Sequence, residues 1–368
     1  MKIREVEAFQ VQWAPDDEPA QRSAWVRVHC DKGHSGIGEA SPMQGGLASL
    51  GMIARDLTPM LIGADPLDHA VFHDTMLHKF AKLGPEGALT GALAAIDIAL
   101  WDLKGKLLGQ PIYKLLGGAW RSELPFYASI GGNGARSVDA MLRVVEARLK
   151  DQPAAVKIRF DNDRTKPDLD IPGDIAKARA VRRLVGDGFP LAFDANNGYS
   201  LGGAIRVGRA LEDLGYWWFE EPVQHYHAKA MGEVARRLDI TVSAGEQTYT
   251  LSGLVDLIEA GVRMVQPDIV KMGGITGLMR CAAVAHAHGV ELVPHQTQPT
   301  IGHAANLHLM ASLLHMTKPC ELNDPSPRQH AVFESPPKPT DGLFPLPTDP
   351  GLGLRVNEAE LDKRRIAI

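Results

Sequence analysis

Cysteine is scarce in this chain: Cys30, Cys281 and Cys320 are the only three in 368 residues, odd in number and far apart. That argues against a disulfide framework and a thiolate metal site, and makes a reducing cytoplasm the simplest location. No stretch reaches about 18 uncharged apolar residues, the length a membrane-crossing helix needs. The opening residues Met1-Lys2-Ile3-Arg4-Glu5 lack the apolar core of a secretory signal. Neither export by that route nor a place in the membrane is expected. Lysine and arginine form no long run, and the formal net charge is -5, so nothing draws the chain to nucleic acid or anionic lipid. What is present, 45% hydrophobic and 23% charged residues, describes a globular protein able to bury a large core. Its length fits a (β/α) barrel of about 250 residues plus one smaller domain.

Met1 to Val11 alternates loosely, and the run from Ser23 to Cys30 ends at the turn Asp31-Lys32-Gly33. An antiparallel hairpin is expected there. From Ala88 to Leu108, the residues Leu89, Leu93, Ile96, Leu100, Leu103 and Leu107 recur at helical steps as one apolar face, stopped by Gly109-Gln110-Pro111. Residues 1–123 thus read as an α+β domain. Beyond Leu124 come eight short apolar runs, most followed by a helical stretch: Phe126–Ile130, Ala154–Phe160, Pro190–Asn196, Tyr216–Glu221, Thr241–Glu246, Met264–Val270, Glu291–His295 and Cys320–Asn323. Alternating units of this kind build a parallel barrel, placed here at 124–335. The Pro- and Gly-rich stretch 336–350 is expected to carry the chain back, so that segment 336–368 completes the first domain.

Nearly every barrel run ends in a polar residue: Lys157 and Arg159, then Asp194 and Asn196, Glu220, Glu246, Asp268, His295 and Glu321. The C-terminal strand ends of a (β/α) barrel surround one cavity, so these distant residues should converge there. Asp194, Glu220 and Glu246 are hard oxygen donors on successive strands, a set that suits Mg²⁺ better than Zn²⁺. Any one of them alone reads as a partner for Lys or Arg at the barrel mouth. Three in series read as a metal site, because unpaired buried carboxylates are costly. His295 alone would read as structural. Asp268 on the neighbouring strand, about 4.8 Å away, can accept from one ring nitrogen and leave the other free for proton transfer. Lys157 and Arg159 share a strand face. A neighbouring cation should lower the lysine pKa toward a neutral, basic amine, while the arginine stays charged and suits a carboxylate clamp. The competing reading of this pair is a salt bridge to Glu220 or Asp194. His225 and His227, beyond a strand end with no second motif, read as surface residues.

The stretches Ala95-Ile96-Asp97-Ile98-Ala99-Leu100-Trp101-Asp102-Leu103-Lys104-Gly105-Lys106, Phe219-Glu220-Glu221-Pro222, Ser243-Ala244-Gly245-Glu246 and Gln266-Pro267-Asp268-Ile269-Val270-Lys271-Met272-Gly273-Gly274 together resemble the enolase superfamily. Within it, the likeness is to the mandelate racemase subgroup, over essentially the whole chain. The resemblance implies an α/β fold, a modified (β/α)7β TIM barrel under an α+β N-terminal capping domain. It also implies Mg²⁺ on Asp194, Glu220 and Glu246, an Asp268–His295 base dyad, and Glu321 bonded to a substrate carboxylate or enolate. Lys271 resembles the supporting lysine of its turn, and a His or Lys base with magnesium at an ene-diolate is the superfamily pattern. A small-molecule carboxylate is the implied partner, and a homo-oligomer is expected because such barrels commonly associate.

The departure is at Arg159, where the family motif Lys-x-Lys carries its second lysine base. Racemisation needs a proton donor or acceptor on both faces of the carbon, and arginine serves poorly. Dehydration of an aldonic or aldaric acid to a 2-keto-3-deoxy acid needs one base and one acid, and His295 can serve as both in turn when the leaving group lies on its own face. The expected activity is therefore a hydro-lyase, with racemisation, epimerisation or cycloisomerisation through the same enolate as the alternative. A non-catalytic binding barrel would require an incomplete triad or dyad. Specificity is expected from cap loops, the stretch Trp13 to Arg22 and Ser41 to Gly46. Arg22, Gln44, Asn196 and Lys271 are the candidate substrate-binding residues.

Overall fold

The computed structural model describes residues 1–13, 22–323 and 327–368. Strands β1 (Ile3–Gln12), β2 (Arg22–Cys30) and β3 (Ser35–Ala40) form an antiparallel meander, with the expected turn at Asp31-Lys32-Gly33 joining β2 to β3. Gly33 takes φ +76° in that turn, a conformation glycine adopts without a Cβ clash. The helix Ala88–Leu108 packs across the sheet and ends at Gly109 in the left-handed conformation, as its apolar spacing and stop signal predict. Its Leu89, Leu93, Ile96, Leu100 and Leu103 enter the cap core, while Ile98 and Trp101 join the barrel core. The helix is thus apolar on two faces because it lies between two layers.

Eight parallel strands follow: β4 (Glu123–Ile130), β5 (Ala155–Arg159), β6 (Leu191–Asp194), β7 (Trp218–Glu220), β8 (Thr241–Ala244), β9 (Met264–Val265), β10 (Glu291–Leu292) and β11 (Cys320–Leu322). They pair in the order β10-β9-β8-β7-β6-β5-β4-β11. Helices of ten or more residues stand after each of the first seven, the (β/α)7β pattern. Alternation along the strands buries both faces. Phe126, Val156, Ile158, Phe193, Phe219 and Val242 face the helices; Tyr127, Ala155, Ala192, Trp218, Met264 and Val293 fill the interior.

The sixth and seventh runs are shorter as strands than their apolar lengths suggest, and two prolines explain the difference. Pro267 has no N–H to donate toward β10, so the ladder beyond Val265 survives only as an isolated Asp268–His295 bridge. The Val293 N–H donates to the Val265 carbonyl of β9 (3.0 Å) and the His295 N–H to the Pro267 carbonyl beyond it (3.2 Å), and Pro294 between them has none to offer β11. Side chains bridge that gap. The Gln296 N–H donates to Glu321 Oε2 (3.0 Å), and Asn323 Nδ2 donates to the Gln296 carbonyl (3.0 Å).

Beyond the barrel, β12 (Leu343–Pro345) pairs antiparallel with β4, and β13 (Arg365–Ala367) pairs with β1 in the cap sheet. Two aspartates of the long helix tie the layers together. Asp97 accepts from the Thr276 N–H (2.9 Å) and hydroxyl (2.5 Å) on the barrel. Asp102 accepts from Ile37 N–H and Leu352 N–H, both at 2.9 Å, and from Lys106 Nζ at 2.7 Å. Among the described residues no helix is long and apolar enough to cross a membrane.

Candidate active site

Strand register brings the acidic residues side by side. Arg159 pairs with Asp194 across β5 and β6, and Asp194 with Glu220 across β6 and β7. Glu246 lies two residues past β8, after Gly245 at φ +129°. A Cβ at Gly245 would stand 3.0 Å from the Gln266 nitrogen, so glycine permits the turn that places Glu246 beside the other two. One carboxylate oxygen from each of Asp194, Glu220 and Glu246 lies within 4.8 Å of the others. Asp194 and Glu220 are 1% exposed and Glu246 7%.

Each carboxylate has a distinct set of partners. Glu220 accepts from Lys157 Nζ at 2.7 Å, and from Trp218 Nε1 and Gln266 Nε2 at 3.0 Å. Asp194 Oδ1 accepts from the Asn196 N–H at 2.7 Å, whereas its buried Oδ2 has no hydrogen-bond partner. Burial, then Glu220 and Glu246, push the Asp194 carboxyl well above the ordinary carboxylate range. A buried cluster of hard oxygen donors with one oxygen unpartnered is matched to a hard divalent cation, which would relieve the crowding. Among the described residues no other group of three or more potential ligands gathers in this way. His225 and His227 lie outside it, with the His225 N–H donating to Asn197 Oδ1 and His227 exposed.

The imidazole stands next to the triad. His295 Nδ1 is 2.7 Å from Asp268 Oδ2, and Nε2 is 2.9 Å from Glu246 Oε2. Asp268 Oδ1 in turn accepts from the Val270 N–H at 2.9 Å. Burial works against the imidazolium, but Glu246, Glu321 and Asp268 outweigh it and raise the His295 pKa well above its ordinary value. Lys271 Nζ donates to the Glu246 carbonyl at 3.0 Å and lies 3.8 Å from Asp268 Oδ2.

Lys157 overturns an expectation. Its amine is buried 2.7 Å from Glu220, 2.9 Å from Glu321 and 3.9 Å from Asp194. Burial favours the neutral amine, yet Glu220 and Glu321 hold its pKa well above that of a free lysine. The neutral base expected from the nearby arginine is therefore not formed, because three carboxylates outnumber one cation. In return Lys157 and His295 outweigh burial and hold the Glu321 carboxyl down at about 2.

The remaining candidates disperse. Arg159 turns to Asp161, with Nε 2.6 Å from Oδ1. Asn196 has φ +48° and its Oδ1 accepts from Arg164 Nη2 at 2.5 Å, so that oxygen is already engaged. Arg22 begins β2 and donates to Gln10 Oε1 at 3.2 Å within the cap sheet. The Gln44 side chain and most of the Trp13–Arg22 loop lie outside the described residues. Sequence reasoning passed over Gln266, Trp218 and Asp161. Trp218 could have been found by period two, since it stands two residues before Glu220 on the same face of β7, whereas Gln266 and Asp161 lie just past the ends of β9 and β5, where no strand period points to them.

Fold and site together define a member of the enolase superfamily. Residues 4–117 match the mandelate racemase / muconate lactonizing enzyme N-terminal domain, and residues 140–360 the enolase C-terminal domain-like family. The chain belongs to the mandelate racemase/muconate lactonizing enzyme family. It is similar to a solved mandelate racemase/muconate lactonizing protein from Paracoccus denitrificans, complexed with magnesium: 66% identity, 100% of this chain and 99% of that one, TM-score 0.96. It is 31% identical to the D-galactarolactone cycloisomerase of Agrobacterium fabrum, over 93% of this chain and 90% of the relative. It is also 31% identical to the D-galactonate dehydratase of Ralstonia pickettii, over 93% and 91%.

Proposed function

We propose that this protein is a magnesium-dependent dehydratase of acid sugars, removing the α-proton of an aldonate or aldarate and eliminating the β-hydroxyl. The observation that carries the reading is an asymmetry of bases. One imidazole, oriented by Asp268, faces the carboxylate triad, while the motif's second base position holds the permanent cation Arg159. Asp194, Glu220 and Glu246 would hold the magnesium, which when bound supplies positive charge for the substrate carboxylate as its α-carbon ionises.

The chain's own residues account for the proton movements. With the Glu246 charge that raises its pKa offset by an ion on the triad, His295 stands neutral, donates Nδ1–H to Asp268 and takes the α-proton at Nε2. The C–H electron pair becomes the enol double bond as the β C–O bond breaks, and His295 returns the proton to the departing oxygen, releasing water. The enol then tautomerises to a 2-keto-3-deoxy acid. Glu321, held ionised, can only accept hydrogen bonds, so on that side Lys157 is the donor toward a substrate oxygen.

Cycloisomerisation is the second reading, because opening a ring ether or lactone needs the same single base and relatives of that activity align along the chain. A panel of aldonates, aldarates, their lactones and anhydro acids, incubated with protein and Mg²⁺ in deuterated solvent, separates the two. Dehydration gives 2-keto acid with one solvent deuterium incorporated. Ring opening consumes only cyclic substrates, and epimerisation without keto acid sinks both. His295→Asn should lower turnover by on the order of 10²- to 10⁴-fold, the range of general-base contributions; an active variant removes His295 from the mechanism.

A further inference from the structure

Arg159 does not lie loose where a lysine would be. Its Nε is 2.6 Å from Asp161 Oδ1, and the other Asp161 oxygen accepts from the Gly132 N–H. A Cβ built on Gly131 would fall 2.3 Å from Arg159 Nη2, 3.0 Å from Cζ and 3.1 Å from Asp161 Oδ2. The guanidinium and its carboxylate therefore occupy the space of a missing side chain. Gly131 is not among the residues at positive φ, so its backbone does not require glycine. The Arg159 main chain is anchored as well, its carbonyl accepting from the Asn133 N–H (3.2 Å) and Nδ2 (3.0 Å).

We propose that Asp161 and the bare backbone at Gly131 form a seat for the Arg159 guanidinium, making Asp161 a positioning residue that fixes a planar cation at the barrel mouth beside Asp194. The inference deepens the one-base reading and rests on it. A guanidinium held in this way stays charged through the cycle, which suits holding a substrate oxygen and rules out base chemistry there. A lysine at 159 has no planar group to fill the slot over Gly131.

The first test needs no substrate. In magnesium-loaded, nitrogen-15-labelled protein, the guanidinium signal assigned by its loss in Arg159→Lys should exchange slowly with solvent, and should exchange like a free arginine in Asp161→Asn and in Gly131→Ala. Slow exchange persisting in both variants overturns the seat. The second test is a double-mutant cycle on an acid the enzyme turns over. Asp161→Asn should lower kcat/KM by about tenfold in the wild-type background, a coupling typical of contacting charged residues, and by less than about twofold in Arg159→Lys. Equal losses in both backgrounds mean that Asp161 does not act through Arg159, and overturn the proposal. A chain that turns over no acid sugar defeats the dehydratase reading, while the exchange measurement still decides the seat.

Discussion

At the residue scale, neighbours decide the character of each side chain in the barrel mouth. Lys157 is a strong cation because three carboxylates surround it, and Asp194 resists ionisation because it is buried and two other carboxylates crowd it. The triad is strained electrostatically and should be stabilised by a divalent ion. Magnesium at one hundred times its dissociation constant should add about 2.7 kcal/mol to unfolding stability, the mass-action gain for a ligand bound only by the native state. The gain should vanish in Glu246→Gln while the variant still folds, as read by thermal unfolding with and without the ion. An undiminished gain would place the ion elsewhere.

At the element scale, the cap sheet and the long helix approach more closely than side chains allow. A Cβ at Gly38 would stand 1.9 Å from the Ala95 carbonyl oxygen, and one at Gly36 would stand 2.0 Å from that of Ala99. These contacts are with backbone, so relief requires the helix to move. Gly38→Ala should therefore destabilise the protein by at least about 1–3 kcal/mol, the cost of overpacking a tight core, measured as a lower urea midpoint. The same displacement would shift Asp97 from Thr276 and Asp102 from Leu352, so catalysis should weaken along with stability. A fully stable variant would show that the approach is not tight.

At the scale of the whole molecule, the cap and barrel meet over buried carboxyls. Glu39 on β3 is 1% exposed and accepts from the Gly302 N–H at 3.3 Å, at the start of the barrel helix Ile301–Ser312. Burial pushes its pKa up to about 7, and burial likewise raises Asp97 to about 6. A carboxyl with a raised folded pKa keeps its proton in the fold at a pH where the unfolded chain has lost it. The fold then binds more protons, and stability falls as pH rises from about 4.5 to about 7. Glu39→Gln should flatten this slope in urea unfolding at a series of pH values. An unchanged slope would mean that Glu39 does not carry it.

Much of the architecture was legible along the chain. The helix Ala88–Leu108 and its stop, the β2–β3 turn and the seven strand-helix units each write a local period into the sequence. The polar strand ends follow from that period too, because a parallel barrel gathers them at one mouth. Tertiary structure alone decided what has no period: that Pro267 and Pro294 cut two strands short, that Lys157 is charged, that Asp161 and Gly131 receive Arg159, and that Glu39 is buried against Gly302. Backbone periodicity is a property of neighbouring residues. Charge state and close packing depend on which distant atoms arrive within a few ångströms, and only the folded chain sets that distance.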